Sequence, residues 1–144
     1  MKTVTVEQFM TFNPCSKYDE NTIKKIAGRK KRWSALDVLK LDFIPAQDRL
    51  WAVLREEFID APILHEFACR LAEGILKQID NPDPRSVAAI EIKRKWLKGE
   101  ATDEELTAAR DAARAAARDA AWDAAGYAAA AWDAQIKMLI DLLT

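Results

Sequence analysis

Apolar residues along this chain recur at steps of three and four, the period of a helix, in short runs that are punctuated until residue 102. Strand signals are nearly absent. Val4, Val6 and Phe9 alternate briefly, but Thr5 followed by Gln8 reads as a capping box that opens a short helix. That helix must stop before Asn13-Pro14, because proline disfavours the α conformation in the residue before it. A second helix is expected over Lys17 to Ala27, capped by Ser16, with Ile23, Ile26 and Ala27 inward and Gly28 at its left-handed end. Ser34 with Asp37 opens a third, with Leu36, Val38 and Leu39 inward.

Ile44-Pro45 starts a fourth helix, whose buried stripe is expected at Leu50, Trp51, Val53 and Leu54. Asp60 and Pro62 open a fifth that runs to about Ile79, with Ile63, Leu64, Phe67, Ala68, Leu71, Ala72, Ile75 and Leu76 in helical register. Asn81-Pro82-Asp83-Pro84 breaks the chain, and Asp83 caps a sixth helix from Arg85 to Leu97 that ends at Gly99. Thr102 with Glu105 is another capping box, and no proline follows it. Gly126 is the one helix breaker beyond it, at about 1 kcal/mol relative to alanine. The pattern therefore predicts one continuous helix towards Leu143, bent at most near Gly126-Tyr127.

The expected fold is all-α. A compact array of about six short to medium helices over 1–101 is closed by a long alanine-rich helix over 102–144 packed on it, in one domain spanning 1–144. On the long helix, Leu106, Ala113, Ala117, Ala120, Ala124, Tyr127, Ala131, Ala134, Met138 and Leu142 form a stripe of mostly small residues. Such a stripe lets a neighbouring helix approach closely, either within the chain or in a second copy, as a homodimer. Trp122 and Trp132 lie off the stripe, as anchors to the array or to a partner.

Half of the residues are hydrophobic, which suits a folded core, and the net charge is −1. The charge is unevenly divided. From Asp103 onward there are eight acids and four bases, a balance of −4, and the preceding residues hold fifteen acids and eighteen bases, a balance of +3. No secretory segment and no membrane span is read, since charges interrupt even the alanine-rich stretch. Cys15 and Cys69 make no disulfide framework, which suits a cytoplasmic location.

Candidate chemistry is sparse. Lys24, Lys25, Arg29, Lys30, Lys31 and Arg32 lead into Trp33, a pattern that can hold phosphates and stack a base, or dock an acidic protein. The same cations also suit a helix C-terminus or a solvated loop. Lys93, Arg94, Lys95 and Lys98 surround Trp96 as a second basic group. His65 and Cys69 stand four apart on one helical face, a pair of residue types that can activate a thiolate, but their apolar neighbourhood favours packing. No catalytic constellation, metal site or cofactor site is expected. The residues expected to meet a partner are Lys25, Arg29, Lys30, Lys31, Arg32, Trp33, Trp122 and Trp132.

Several segments together carry a resemblance: Phe9 to Cys15, Trp33 to Leu39, Ile44 to Arg55, Ile79 to Arg85, and Lys95 to Leu106 running into the Ala-Ala-Arg and Ala-Ala-Trp-Asp repeats. The chain resembles alanine-rich helical proteins of phages, prophages and bacteria that are often labelled immunity proteins. The resemblance implies a non-enzymatic inhibitor in phage–bacterium conflict that blocks a toxin or a host-defence effector, as immunity and anti-CRISPR proteins do. Its partner would be a bacterial protein or nuclease complex, such as a toxin or a CRISPR effector. The alternative is a nucleic-acid-binding phage accessory protein that uses residues 24–33.

Overall fold

The structure, a computed structural model, describes residues 1–120 and 128–144, with side chains at 1–117 and 132–144. Among the described residues the fold is all-α, with a single pair of two-residue strands. The chain gathers into two compact units, Met1–Leu64 with Ile140–Thr144, and His65–Leu139.

In the first unit, strand β1 (Thr3–Val4) leads into helix α1 (Val6–Met10). Thr5 Oγ1 accepts from the Gln8 amide while Gln8 Oε1 accepts from the Thr5 amide, the reciprocal box the sequence predicts. Helix α2 is Glu20–Ala27, shorter than expected. Its cap is Asp19, which accepts from the Thr22 amide at 2.7 Å, and Ser16–Tyr18 forms a separate 3-10 turn. Gly28 follows at φ +57° and ψ −123°, a conformation that L side chains rarely adopt.

Strand β2 (Trp33–Ser34) pairs antiparallel with β1, Thr3 opposite Ser34 and Val4 opposite Trp33. This pairing was not anticipated, since two residues are too few to show a period. Ser34 and Asp37 close a second capping box at α3 (Ala35–Leu39), and Pro45 precedes α4 (Ala46–Val53). Val4, Ala35, Leu39, Leu50, Ala52, Val53, Phe58 and Ile59 are buried. The stripe expected on α4 is partly wrong. Leu50 and Val53 are inside, but Trp51 is 44% and Leu54 39% exposed, while Arg49 and Ala52 are buried instead. Arg49 can be buried because its Nη1 donates to the Leu39 carbonyl at 2.6 Å.

Helix α5 is Ala61–Leu76, ending before the expected Ile79. Helix α6 (Pro84–Leu97) starts on Asp83, whose carboxylate accepts from the Arg85 amide and guanidinium and is thereby drawn down to about 2. In the second unit α6 packs on α7 (Asp103–Ala120), which opens on the Thr102–Glu105 box. Helix α8 is Ala128–Leu143. The expected continuity between α7 and α8, and Gly126, Tyr127 and Trp122 with it, lies outside the described residues.

The expected small-residue stripe holds only in part. Leu106 is buried and Ala113, Met138 and Leu142 are half-buried. Ala117 and Ala134 are exposed, while Ala116, Ile136 and Leu139, off the stripe, are buried. Ala120, Ala124, Tyr127 and Ala131 lie outside the described side chains. On α8, where isoleucine and leucine compete with alanine, the larger apolar area goes inside first. No helix among the described residues is long and apolar enough to cross a membrane.

Candidate functional site

The first unit contains a cavity of about 380 Å³ with mainly apolar walls. Its lining includes Val4, Phe9, Ile23, Ile26, Trp33 and Val38, so the β1–β2 ladder and helices α1 to α3 all contribute. Aromatic rings build another part of the wall. Phe9 meets Phe12 and Trp51 edge-on, at centroid distances of 5.8 and 6.3 Å, and Phe12 leans on Phe58 at 6.5 Å. Edge-to-face contacts of this kind hold rings in fixed relative orientation.

Arg55 stands on this aromatic cluster. Its guanidinium lies 4.2 Å from the Phe12 ring centroid and 4.7 Å from that of Trp51, and its Nη2 donates to the Trp51 carbonyl at 2.8 Å. Burial pushes its pKa down, which marks a partly dehydrated cation. An indole that is 44% exposed is thus held under an arginine. Phe43, between α3 and α4, is 70% exposed. Neither Trp51 nor Arg55 was among the expected partner-binding residues. Arg55 lies two residues beyond the end of α4, so helical spacing does not mark the pair; the only local signal is a cation four residues after an aromatic.

A few polar groups join the apolar wall. Tyr18 donates its hydroxyl to Asp48 Oδ2 at 2.5 Å, and Lys17 Nζ approaches the same oxygen at 3.4 Å. Burial, then the neighbouring Asp48, raises the Tyr18 hydroxyl above its ordinary range. Arg49 lines the cavity with its Nε buried and without an acceptor.

The basic segment lies in the same unit and is partly consumed by the fold. Lys30 pairs with Asp37 at 2.5 Å and sits 5.3 Å from the Trp33 ring. Arg32 donates to Thr3 Oγ1 at 2.7 Å and to the Thr3 carbonyl at 2.9 Å, locking β1 to β2. Lys24 pairs with Glu20, one turn away. Lys25, Arg29 and Lys31 are exposed and make no ion pair among the described residues. Trp33 is half-buried, donates to the Lys30 carbonyl and faces the cavity wall rather than presenting a free ring. An open groove collects Lys24, Arg29, Lys30 and Lys31 beside Glu7.

The second unit holds the other candidates. Arg94 is engaged by Glu73 and Glu66, and Lys93 lies 4.1 Å over the Trp96 ring, so this basic group is also partly internal. Trp96 donates to Asp103 at 2.6 Å, and His65 meets its ring edge-on at 5.7 Å. Cys69 is buried, and burial raises its thiol pKa, the opposite of what an activated nucleophile needs. Trp132 is half-buried on α8. Among the described residues no group of His, Cys, Asp and Glu is placed to hold a metal. Compared with family models, curated proteins and solved structures, the chain has no match.

Proposed function

We propose that this chain is a non-enzymatic protein-binding inhibitor in phage–bacterium conflict, which occupies a surface of a toxin or host-defence effector. One observation carries the reading: the exposed Trp51 ring held beneath Arg55 on a bed of phenylalanines. Tryptophan and arginine are the residue types that most often dominate protein interfaces, and a ring fixed in advance loses little entropy on docking. The resemblance to phage and bacterial immunity proteins supports the same class of partner. Affinity capture from bacterial lysate tests it. A protein retained at fixed stoichiometry, and lost when Trp51→Ala replaces the wild type, is the expected result. Capture indifferent to Trp51 counts against it.

A second reading rests on the groove formed by Lys24, Arg29, Lys30 and Lys31, in which Arg29 and Lys31 are free to meet phosphates. It predicts binding of nucleic acid that weakens steeply with salt and with Arg29→Ala and Lys31→Ala. Binding that ignores salt eliminates it. A homodimer through the alanine-rich helix is compatible with both readings, and light scattering decides it.

A further inference from the structure

We infer that the cavity of the first unit is a binding site for a small amphipathic carboxylate, an apolar chain or ring that carries one anionic head. Three observations converge. The cavity measures about 380 Å³, inside the roughly 300–1,000 Å³ typical of small-ligand sites. Its lining is mainly side chains of Val, Ile, Leu, Phe and Trp, which favour an apolar body over a sugar or a nucleotide. The third observation sets the charge of the head.

Arg49 lines the cavity and is 8% exposed. One nitrogen, Nη1, donates to the Leu39 carbonyl, and its nearest carboxylate is Asp42 at 3.6 Å, itself 97% exposed. Its Nε is buried with no acceptor. A buried cation with so weak a counter-charge is costly to leave unmet. A ligand carboxylate beside the guanidinium supplies the missing counter-charge. Asp48, the other charge in the wall, is already met by the Tyr18 hydroxyl and by Lys17, so it does not call for a cation. A ligand amine has no such unmet partner. The cavity shares Trp51 with the face proposed to meet a protein, but its test is read at Val4, Ile23, Val38 and Arg49 with no partner chain, so the two readings fail separately.

Three probes of one chain length separate the alternatives: octanoate, octanol and octylammonium, each titrated below its micelle threshold into the full chain. Side-chain NMR reads the result on the wild type. Octanoate is expected to give intermolecular NOEs to the methyl groups of Val4, Ile23 and Val38 and to shift the Arg49 Nε–H resonance. Octanol is expected to bind at least about tenfold more weakly, because it lacks the charge, and octylammonium not measurably. Arg49→Met removes the charge and keeps much of the aliphatic stem, and should erase most of the preference for octanoate over octanol. Equal binding of octanoate and octanol would overturn the assignment of the head. Absence of NOEs to these methyls, or a cavity that takes up water alone, would overturn the site. If Arg49→Met does not fold, the wild-type NOEs and the order of the three probes still decide.

Discussion

Replacing Arg94 with methionine tests how the second unit holds α5 against α6. Arg94 reaches from α6 to two carboxylates of α5. Nε and Nη2 grip Glu73 at 2.5 and 3.0 Å, and Nη1 donates to Glu66 at 2.9 Å. Glu66 also takes Arg70 at 2.7 Å. Fully buried charge-assisted bonds contribute about 1.5–3 kcal/mol each. The three side chains here remain 34%, 31% and 35% exposed, and exposed pairs contribute about 0.2–1 kcal/mol. A middle value near 0.7 kcal/mol for each of three bonds gives a loss of about 2 kcal/mol. Methionine retains much of the aliphatic stem, so packing changes little.

The same contact makes a pH signature. Arg94 holds Glu73 below its ordinary carboxylate range, and Arg70 followed by Arg94 does so for Glu66. Groups lowered by folding add stability above their unfolded values near 4.5, and that stability is lost as pH falls through the folded values. Urea unfolding followed by circular dichroism at pH 7 and pH 3 is the assay. The wild type should lose more stability on acidification than Arg94→Met does. A variant within about 0.5 kcal/mol of wild type at pH 7, or an equal acid response, refutes the clamp.

Two glycines should respond in opposite directions. Gly28 holds φ +57° with open space around it, so Gly28→Ala should destabilise by about 1 kcal/mol through backbone strain alone. Gly74 lies inside α5, also with open space, so Gly74→Ala should stabilise by about 0.5–1 kcal/mol in the same urea assay. Ser34→Ala removes one half of the α3 capping box and should reduce stability by about 1 kcal/mol, read as a lower melting midpoint. Thiol labelling should be biphasic: exposed Cys15 reacts at once, and buried Cys69 only as fast as the second unit opens. Two equally fast thiols would contradict the burial of Cys69.

What was legible in the sequence was what depends on near neighbours. The Thr5–Gln8, Ser34–Asp37 and Thr102–Glu105 boxes and the Asp83-Pro84 start all span a few residues, and all occur. Distant partners decided the rest. Ser16 and Asp19 are both competent caps. The chain uses Asp19 for α2, and in the separate turn before it Tyr18 meets Asp48, 30 residues on. The β1–β2 ladder is fixed by Arg32 reaching Thr3 across 29 residues. Helix α4 carries more apolar positions than one face can bury, and Arg49 took a buried place because Leu39 offers it a carbonyl.

The candidate site was read less well for the same reason. The basic run from Lys24 to Trp33 stands out in sequence, yet Lys24, Lys30 and Arg32 are engaged within the fold and Trp33 is part of a wall. The cavity gathers residues from 4 to 58, and no local spacing announces it.

In the proposed function, Trp51 and Arg55 form the face that meets a protein. The most direct measurement compares wild type, Trp51→Ala, Arg55→Ala and Arg29→Ala/Lys31→Ala as baits, all checked for native circular dichroism, in nuclease-treated bacterial lysate. One stoichiometric protein is expected on the wild type and on the Arg29/Lys31 variant. A loss of at least about tenfold is expected on each of the other two, as for interface residues worth more than about 1.4 kcal/mol. Equal capture by all four baits, or loss confined to the Arg29/Lys31 variant, would contradict it.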